Sequence, residues 1–416
     1  MKKITLMICL LFAAGVSAQQ EKGIIGFNSW LNNWTEFKPN KSEYNEPNQI
    51  ITGTIAVDSK LYKKNVYLLM GNVYVTNKAK LTIEPGTVII ADAESKASLV
   101  ITKGASILAE GTETDPIVFT SSKSIRKAGD WGGIILLGEA PINKFGNVAS
   151  VNFDLDAGFS SYGGTNTASN SGILRYVRIE FAGAKVKGFG NFNALFLGGV
   201  GNQTIIENVM VSNAGGDSFE VFGGDVNLNK LISYKCSSND FKFNYGAQVN
   251  IKNSLAIRAS YLQSSSGSRC LYACSYDKKE EVDFTKKFTL VTATNLTFVN
   301  NSQNIKTDME QGLVRESIYI AENTNVDFKR SVISGFNPAV VLDEKIAIND
   351  ESLKKLKFQE MYFNACKGNI FLENNSNNED LESWYGNASF FNVYSQGENL
   401  ETFIDPFNDK RPDFRL

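Results

Sequence analysis

Histidine is absent from all 416 residues, and that absence excludes more chemistry than any residue present suggests. Without imidazole there is no Ser/His or Cys/His nucleophile pair, no histidine-ligated zinc and no histidine base for cutting a polysaccharide. Carboxylate, Lys/Arg and Tyr chemistry remain. Cysteine is scarce: beyond Cys9, near the N-terminus, only Cys236, Cys270, Cys274 and Cys366 occur. An even number outside the cytoplasm permits disulfides, and the CLYAC pair Cys270 and Cys274 is the candidate for closing a small loop. Cys236 and Cys366 read equally well as buried thiols. With a single close pair and no histidine, no metal site is expected. Past the N-terminal stretch, no run approaches the ~18 consecutive apolar residues of a membrane span.

Charge of one sign is also never concentrated. The N-terminal Lys2 and Lys3, an apolar run from Ile4 to Val16 and the small-residue site Val16, Ser17, Ala18 form a secretory signal, with cleavage expected after Ala18. Cys9 follows the bulky Ile8 inside the apolar run, which argues against lipidation. Removing the signal leaves 42 − 2 = 40 basic against 44 acidic residues without long blocks, which argues against nucleic acid or an anionic membrane surface as partner. Periplasm, outer-membrane association and cell surface all fit an exported chain.

What the sequence has is repetition. Three segments starting at Thr204, Val226 and Val249 overlay with offsets of 226 − 204 = 22 and 249 − 226 = 23 residues. Ile206, Leu228 and Ile251 then align, as do Phe219 with Phe241 and Val221 with Phe243; Val209, Leu231 and Leu255 align if the third segment gains a residue. Apolar residues alternate in bursts of three to five between Gly, Asn, Asp and Ser. Strand periodicity nested in a repeat of about 22 residues signals a solenoid. The expected fold is all-β: a single-stranded right-handed parallel β-helix with each coil about 4.8 Å above the last, and with N- and C-terminal caps. A second overlay, Val73 on Leu99, Val75 on Ile101 and Leu81 on Ile107, fixes two earlier coils.

The chain then divides into a signal at 1–18, an N-terminal cap at 19–49, a β-helix at 50–375 and a C-terminal cap at 376–416. Two stretches lack alternation, 147–171 and 259–287, and read as surface excursions where a solenoid places binding elements. A short helix is expected near 350–356, capped by Asn349 or Asp350.

LTIEPGTVI, ITKGASILAEGTETDPIVFTS, GDWGGIILLGEAPIN, NSGILRYVRIEFAG, LGGVGNQT and GDSFEVFGGDVN, in this order, resemble a group of secreted β-helix proteins common in Bacteroidota. The resemblance covers roughly residues 26–260. It implies a pectin-lyase-like superhelix at the outer membrane or cell surface, often alongside TonB-dependent transporters, and no established activity. Relatives tend to Asp-Asp-Ser-Phe-Glu and Asp-Asp-Asp-Phe-Asp where this chain has Gly216 to Glu220 and Ser238 to Lys242. The acids that a calcium ion would need are depleted here, so no cofactor is expected, with calcium the one left open.

Stacked coils bring Asp217 and Asp240 to within about 5 to 7 Å, the minimum for glycoside hydrolysis or a hard-cation site. Corner acids more often bond the local backbone. Glu220 and Lys242 share an outward position and read as an exposed ion pair worth about 0.2 to 1 kcal/mol. Asn208, Asn229, Asn250 and Asn253 read as an asparagine ladder bridging the coils. The leading expectation is a non-catalytic protein that binds a glycan or an outer-membrane transporter, with Trp30, Trp34, Tyr162 and Tyr261 as contact residues. The alternative is a polysaccharide lyase or hydrolase on the helix flank using Asp217, Asp240, Lys242 and Arg258, and a purely structural surface role comes third.

Overall fold

The structure is a computed structural model that describes residues 21–26, 29–261, 268–408 and 410–416. The signal at 1–18, with Cys9, lies outside the described residues. Alternating apolar residues do form strands, and the strands form one right-handed parallel β-helix. Each coil contributes a strand to each of three parallel sheets. In the central coils the chain passes from the first sheet (the end of Ile205–Ser212) to the second (Phe219–Phe222), the third (Asp225–Asn229) and back to the first (Ile232–Tyr234). Phe219 pairs with Phe241, Val221 with Phe243, and Ile206 with Leu228, which pairs with Ile251. The early overlay holds as well, with Val73 on Leu99 and Leu81 on Ile107.

One alignment needs correction. Leu255 pairs with Ile232, which pairs with Met210, so no extra residue is inserted. The reason is a corner of fixed length between the third and first sheets. Tyr176, Asn208, Lys230, Asn253, Asn295, Arg330 and Glu360 occupy it on seven coils, with φ between 46° and 58°. One left-handed residue turns the chain on each of these seven coils, and asparagine tolerates that conformation better than most side chains. Asn208 and Asn253 therefore share a position with Asn295, whereas Asn229 and Asn250 lie on the strands before it. Asn229 and Asn250 do reach across coils, donating to Glu207 at 2.8 Å and to Asn227 at 3.0 Å, whereas the corner amides turn mainly to the N-terminal segment, with only a 3.4 Å contact from Asn295 to the Arg330 carbonyl of the next coil. Asn253 accepts from the Ile25 N–H at 2.8 Å, and Asn295 donates to the Glu21 and Gly23 carbonyls at 2.9 and 3.0 Å.

Those contacts reveal where the N-terminal segment goes. The outward side of the first sheet is apolar, with Met210, Ile232, Leu255, Val299 and Val332, and it must be covered. Ile24, Leu31, Trp34 and Phe37 cover it. The segment runs back along the flank from Lys22, which donates to the Met361 and Phe391 carbonyls, to Tyr44, whose hydroxyl accepts from Arg178 at 2.9 Å. It is a lengthwise strap, and not the end cap that its aromatic content suggests. At the other end helix Glu379–Tyr385 does cap, placing Leu381 and Tyr385 on the core, and Phe403 and Phe414 then join the strap. The short helix forms as Asp350–Leu353, with Asn349 accepting from the Ser352 N–H at 3.0 Å.

The cysteine pairing is also corrected. Cys236, Cys270, Cys274 and Cys366 are free and buried, and Cys270 and Cys274 flank strand Leu271–Ala273 of the second sheet. Four residues of extended chain separate them by about 13 Å, beyond the ~7 Å Cα limit for a bridge. Burial pushes the Cys236 thiol up to about 12 and the Cys366 thiol up to about 11. A colorimetric thiol assay is expected to find no reactive thiol in the folded mature chain and four after denaturation. Recovery of only two would restore the bridge.

Candidate functional site

Alternation turns Phe219 and Val221 into the coil and therefore turns Glu220 out of it. Register then places Phe196, Glu220, Lys242, Tyr272 and Tyr319 in one outward row on the second sheet. The excursion at 147–171 folds over this row as a hairpin, Ala149–Ser150 against Ser161–Tyr162. Its Tyr162 and Phe153 meet Phe196 at ring distances of 5.9 and 5.8 Å. A second hairpin, Lys185–Val186 against Gly190–Asn191, forms another wall. The third wall comes from the second excursion, where Asp277 accepts from Asn244 at 2.8 Å and from the Tyr245 hydroxyl at 2.7 Å, and Glu281 pairs with Lys144 at 2.6 Å. Together they enclose a groove of about 800 Å³.

Its floor is a charged trio. Lys242 Nζ lies 2.7 Å from Glu220 Oε1 and 3.9 Å from Asp217 Oδ2. The other oxygen of Asp217 accepts from the Ser238 hydroxyl, from the Asn239 N–H at 2.8 Å and from the Asn239 amide at 3.0 Å. Asn193 donates to the far oxygen of Glu220. The sequence pattern rightly makes Glu220 and Lys242 outward neighbours but wrongly makes them exposed, because the walls leave Glu220 only 3% accessible. Burial pushes the Glu220 carboxyl up to about 7 in spite of Lys242. For Lys242, burial alone would lower the ammonium, but Glu220 and Asp217 more than reverse it and hold it well above its ordinary value. Burial likewise raises the Tyr162 hydroxyl.

A family profile described as a pectate-lyase like beta helix domain matches residues 53–401. The chain belongs to that family. Comparison with curated proteins and with solved structures returns no match. In this pectate-lyase-like domain no group of three Asp, Glu or Cys side chains among the described residues is arranged to hold a metal ion. Between Asp217 and Glu220, where a bridging cation would sit, stands the Lys242 ammonium, so the floor does not fit calcium.

Of the four residues expected to act together, the groove gathers two. Asp217 and Lys242 line it, whereas Asp240 and Arg258 turn inward and pair with each other at 2.8 Å. Ser233 donates to the remaining oxygen of Asp240. Both residues are sealed within the coil, so the expected Asp217 and Asp240 pair does not form: the two acids leave the same corner on opposite sides. Among the aromatic candidates, Tyr162 borders the groove but is only 2% accessible, so it backs a wall whose accessible ring is the half-buried Phe153. Trp34 is fully buried in the strap, edge-on to Tyr176 at 5.7 Å and donating to the Trp30 carbonyl at 2.7 Å, which removes it from any sugar platform, while its stacked neighbour Trp30 is half-buried on the strap and does not line the groove. Tyr261 is 74% exposed but stands on the flank beside Phe37 and Phe414. Asn193, Phe153, Lys144 and Asp277 complete the groove without a sequence signal, since loop packing places them.

Glu220 generates a pH signature. Its folded proton is held to about pH 7, against 4.5 for an ordinary glutamate, so the folded chain binds more protons across that window. The stability this confers is fully present below 4.5 and lost as pH rises through 7. Its size is on the order of 3 kcal/mol, and burial of Glu180 and Asp240 acts in the same direction. Urea midpoints measured across this window are expected to fall with rising pH, and less steeply in Glu220→Gln. Equal slopes would contradict the buried acid.

Proposed function

We propose that the chain is a non-catalytic binding protein that holds a glycan in the groove over the second sheet. The observation that carries this reading is the floor itself, where the Asp217, Lys242 and Glu220 trio is held by Asn193 and Asn239 in a fixed array beneath aromatic walls. Fixed carboxylate, ammonium and amide groups beside the Phe153 wall that Tyr162 backs match the alternating hydroxyls and apolar faces of sugar rings. Binding is favoured over elimination because Lys242 stays protonated and so supplies no base.

Hydrolysis is the second reading, and one observation favours it: a carboxyl pushed up to about 7 stands across Lys242 from a second carboxylate, a disposition suited to a general acid. The N-terminal signal and the resemblance to exported Bacteroidota β-helices support a periplasmic or cell-surface location. An outer-membrane transporter is the protein partner consistent with that location.

A glycan array followed by calorimetry tests the reading. Lys242→Met is expected to weaken the best ligand at least about tenfold, or about 1.4 kcal/mol, while Tyr261→Ala leaves it unchanged. Equal affinity in wild type and Lys242→Met would exclude the groove. Shortened glycan products that disappear in Glu220→Gln would replace binding with hydrolysis. Export is checked separately by intact mass, with Gln19 expected as the first residue of the mature chain.

A further inference from the structure

The two ends of the solenoid are finished differently. At the C-terminal end Leu381 and Tyr385 close the core. At the other end strand Gln49–Ile55 pairs along one edge with Val66–Val75, and among the described residues no strand pairs with its opposite edge. Ser59–Leu61 likewise pairs only with Lys80–Ile83. The described residues of the segment 22–44, which could have covered this end, lie along the flank. Ile50 is 63% and Val57 72% exposed, and the inward Ile51 and Ile55 are only partly buried. The edge QIITGTI has neither a charge nor a proline, two of the devices that keep an open edge from pairing, and its one irregularity is a register shift at Gly53 between Thr52 and Thr54.

We propose that this open end is the contact surface of a head-to-head homodimer. Unpaired strands on its sides frame an apolar cross-section, and a partner that satisfies all of them at once must present the same frame. A second copy's N-terminal end does so; its C-terminal end, closed by Leu381 and Tyr385, does not. The contact is therefore two-fold, with the Gln49–Ile55 strands antiparallel about Thr52, and it closes at two copies without growing into a fibre. The described N-terminal residues do not occupy it, because Lys22 is anchored at Met361 and Phe391, at the opposite end. An extended peptide from another protein would satisfy one side of the frame and leave the others unpaired.

Sedimentation velocity of the full mature chain over a micromolar concentration series tests the proposal. The wild type is expected to sediment as a dimer, and the doubly substituted Ile50→Lys, Thr52→Lys chain as a monomer with an unchanged thermal midpoint, since both side chains are exposed. Thr52→Cys gives a second readout that does not depend on that variant folding: mild oxidation should convert the dimer to a covalent one. A wild type that stays monomeric, a lysine variant that folds and still dimerises, or a Thr52→Cys chain that does not cross-link would each overturn the proposal. Capture of an extended peptide by a monomeric wild type would move this end to the other class of partner.

Discussion

Every coil must return to the same place above the one before, and the fold depends on that constraint. Parallel backbone pairing supplies the attraction, but it keeps register only if each circuit crosses its corners in a fixed conformation. The corner between the third and first sheets meets this demand with one left-handed residue per coil, whatever its side chain, from Tyr176 to Glu360. Where the corner is kept, equal positions stack. Phe219 over Phe241 at a ring distance of 5.3 Å inside the coil and Glu220 beside Lys242 outside it are consequences of one register.

A solenoid with an apolar outer face has a second problem, and it is solved along the axis. The first sheet shows Met210, Ile232, Leu255, Val299 and Val332 to the outside, and a strap from the N-terminus, joined by Phe403 and Phe414, buries them. By fastening residue 22 to the last coils and residue 44 to the early ones, the strap ties the ends of a chain whose coils otherwise touch only their neighbours. The second sheet's outer face is covered differently. Hairpins and loops arch over it and leave the groove, so the same need to cover a sheet yields a seal on one flank and a cavity on another.

This division explains what could be read from the letters. Backbone periodicity is local and repeats, so the coil, the period near 22 residues of its central windings and the pairing of Phe219 with Phe241 were legible. Corners were less so. Alternation fails there, and nothing in the letters says that Asp217 leaves outward while Asp240, one step further along its own coil, turns in to Arg258. The buried state of Glu220 depends on loops whose residues carry no periodicity, and Trp34 reads as a platform or a plug until the apolar flank beneath it is known. Cys270 and Cys274 look like a loop staple only if the strand between them is missed.

The groove joins these strands of the account, since it needs the register for its floor and the excursions for its walls. A crystal structure of the chain bound to an oligosaccharide tests that union most directly. The expected result is sugar density along the second sheet, with hydroxyls on Lys242 and a ring against the wall carrying Phe153 and Tyr162. Sugar bound on the strapped flank beside Tyr261, or Glu220 and Lys242 found on different sheets, would contradict it.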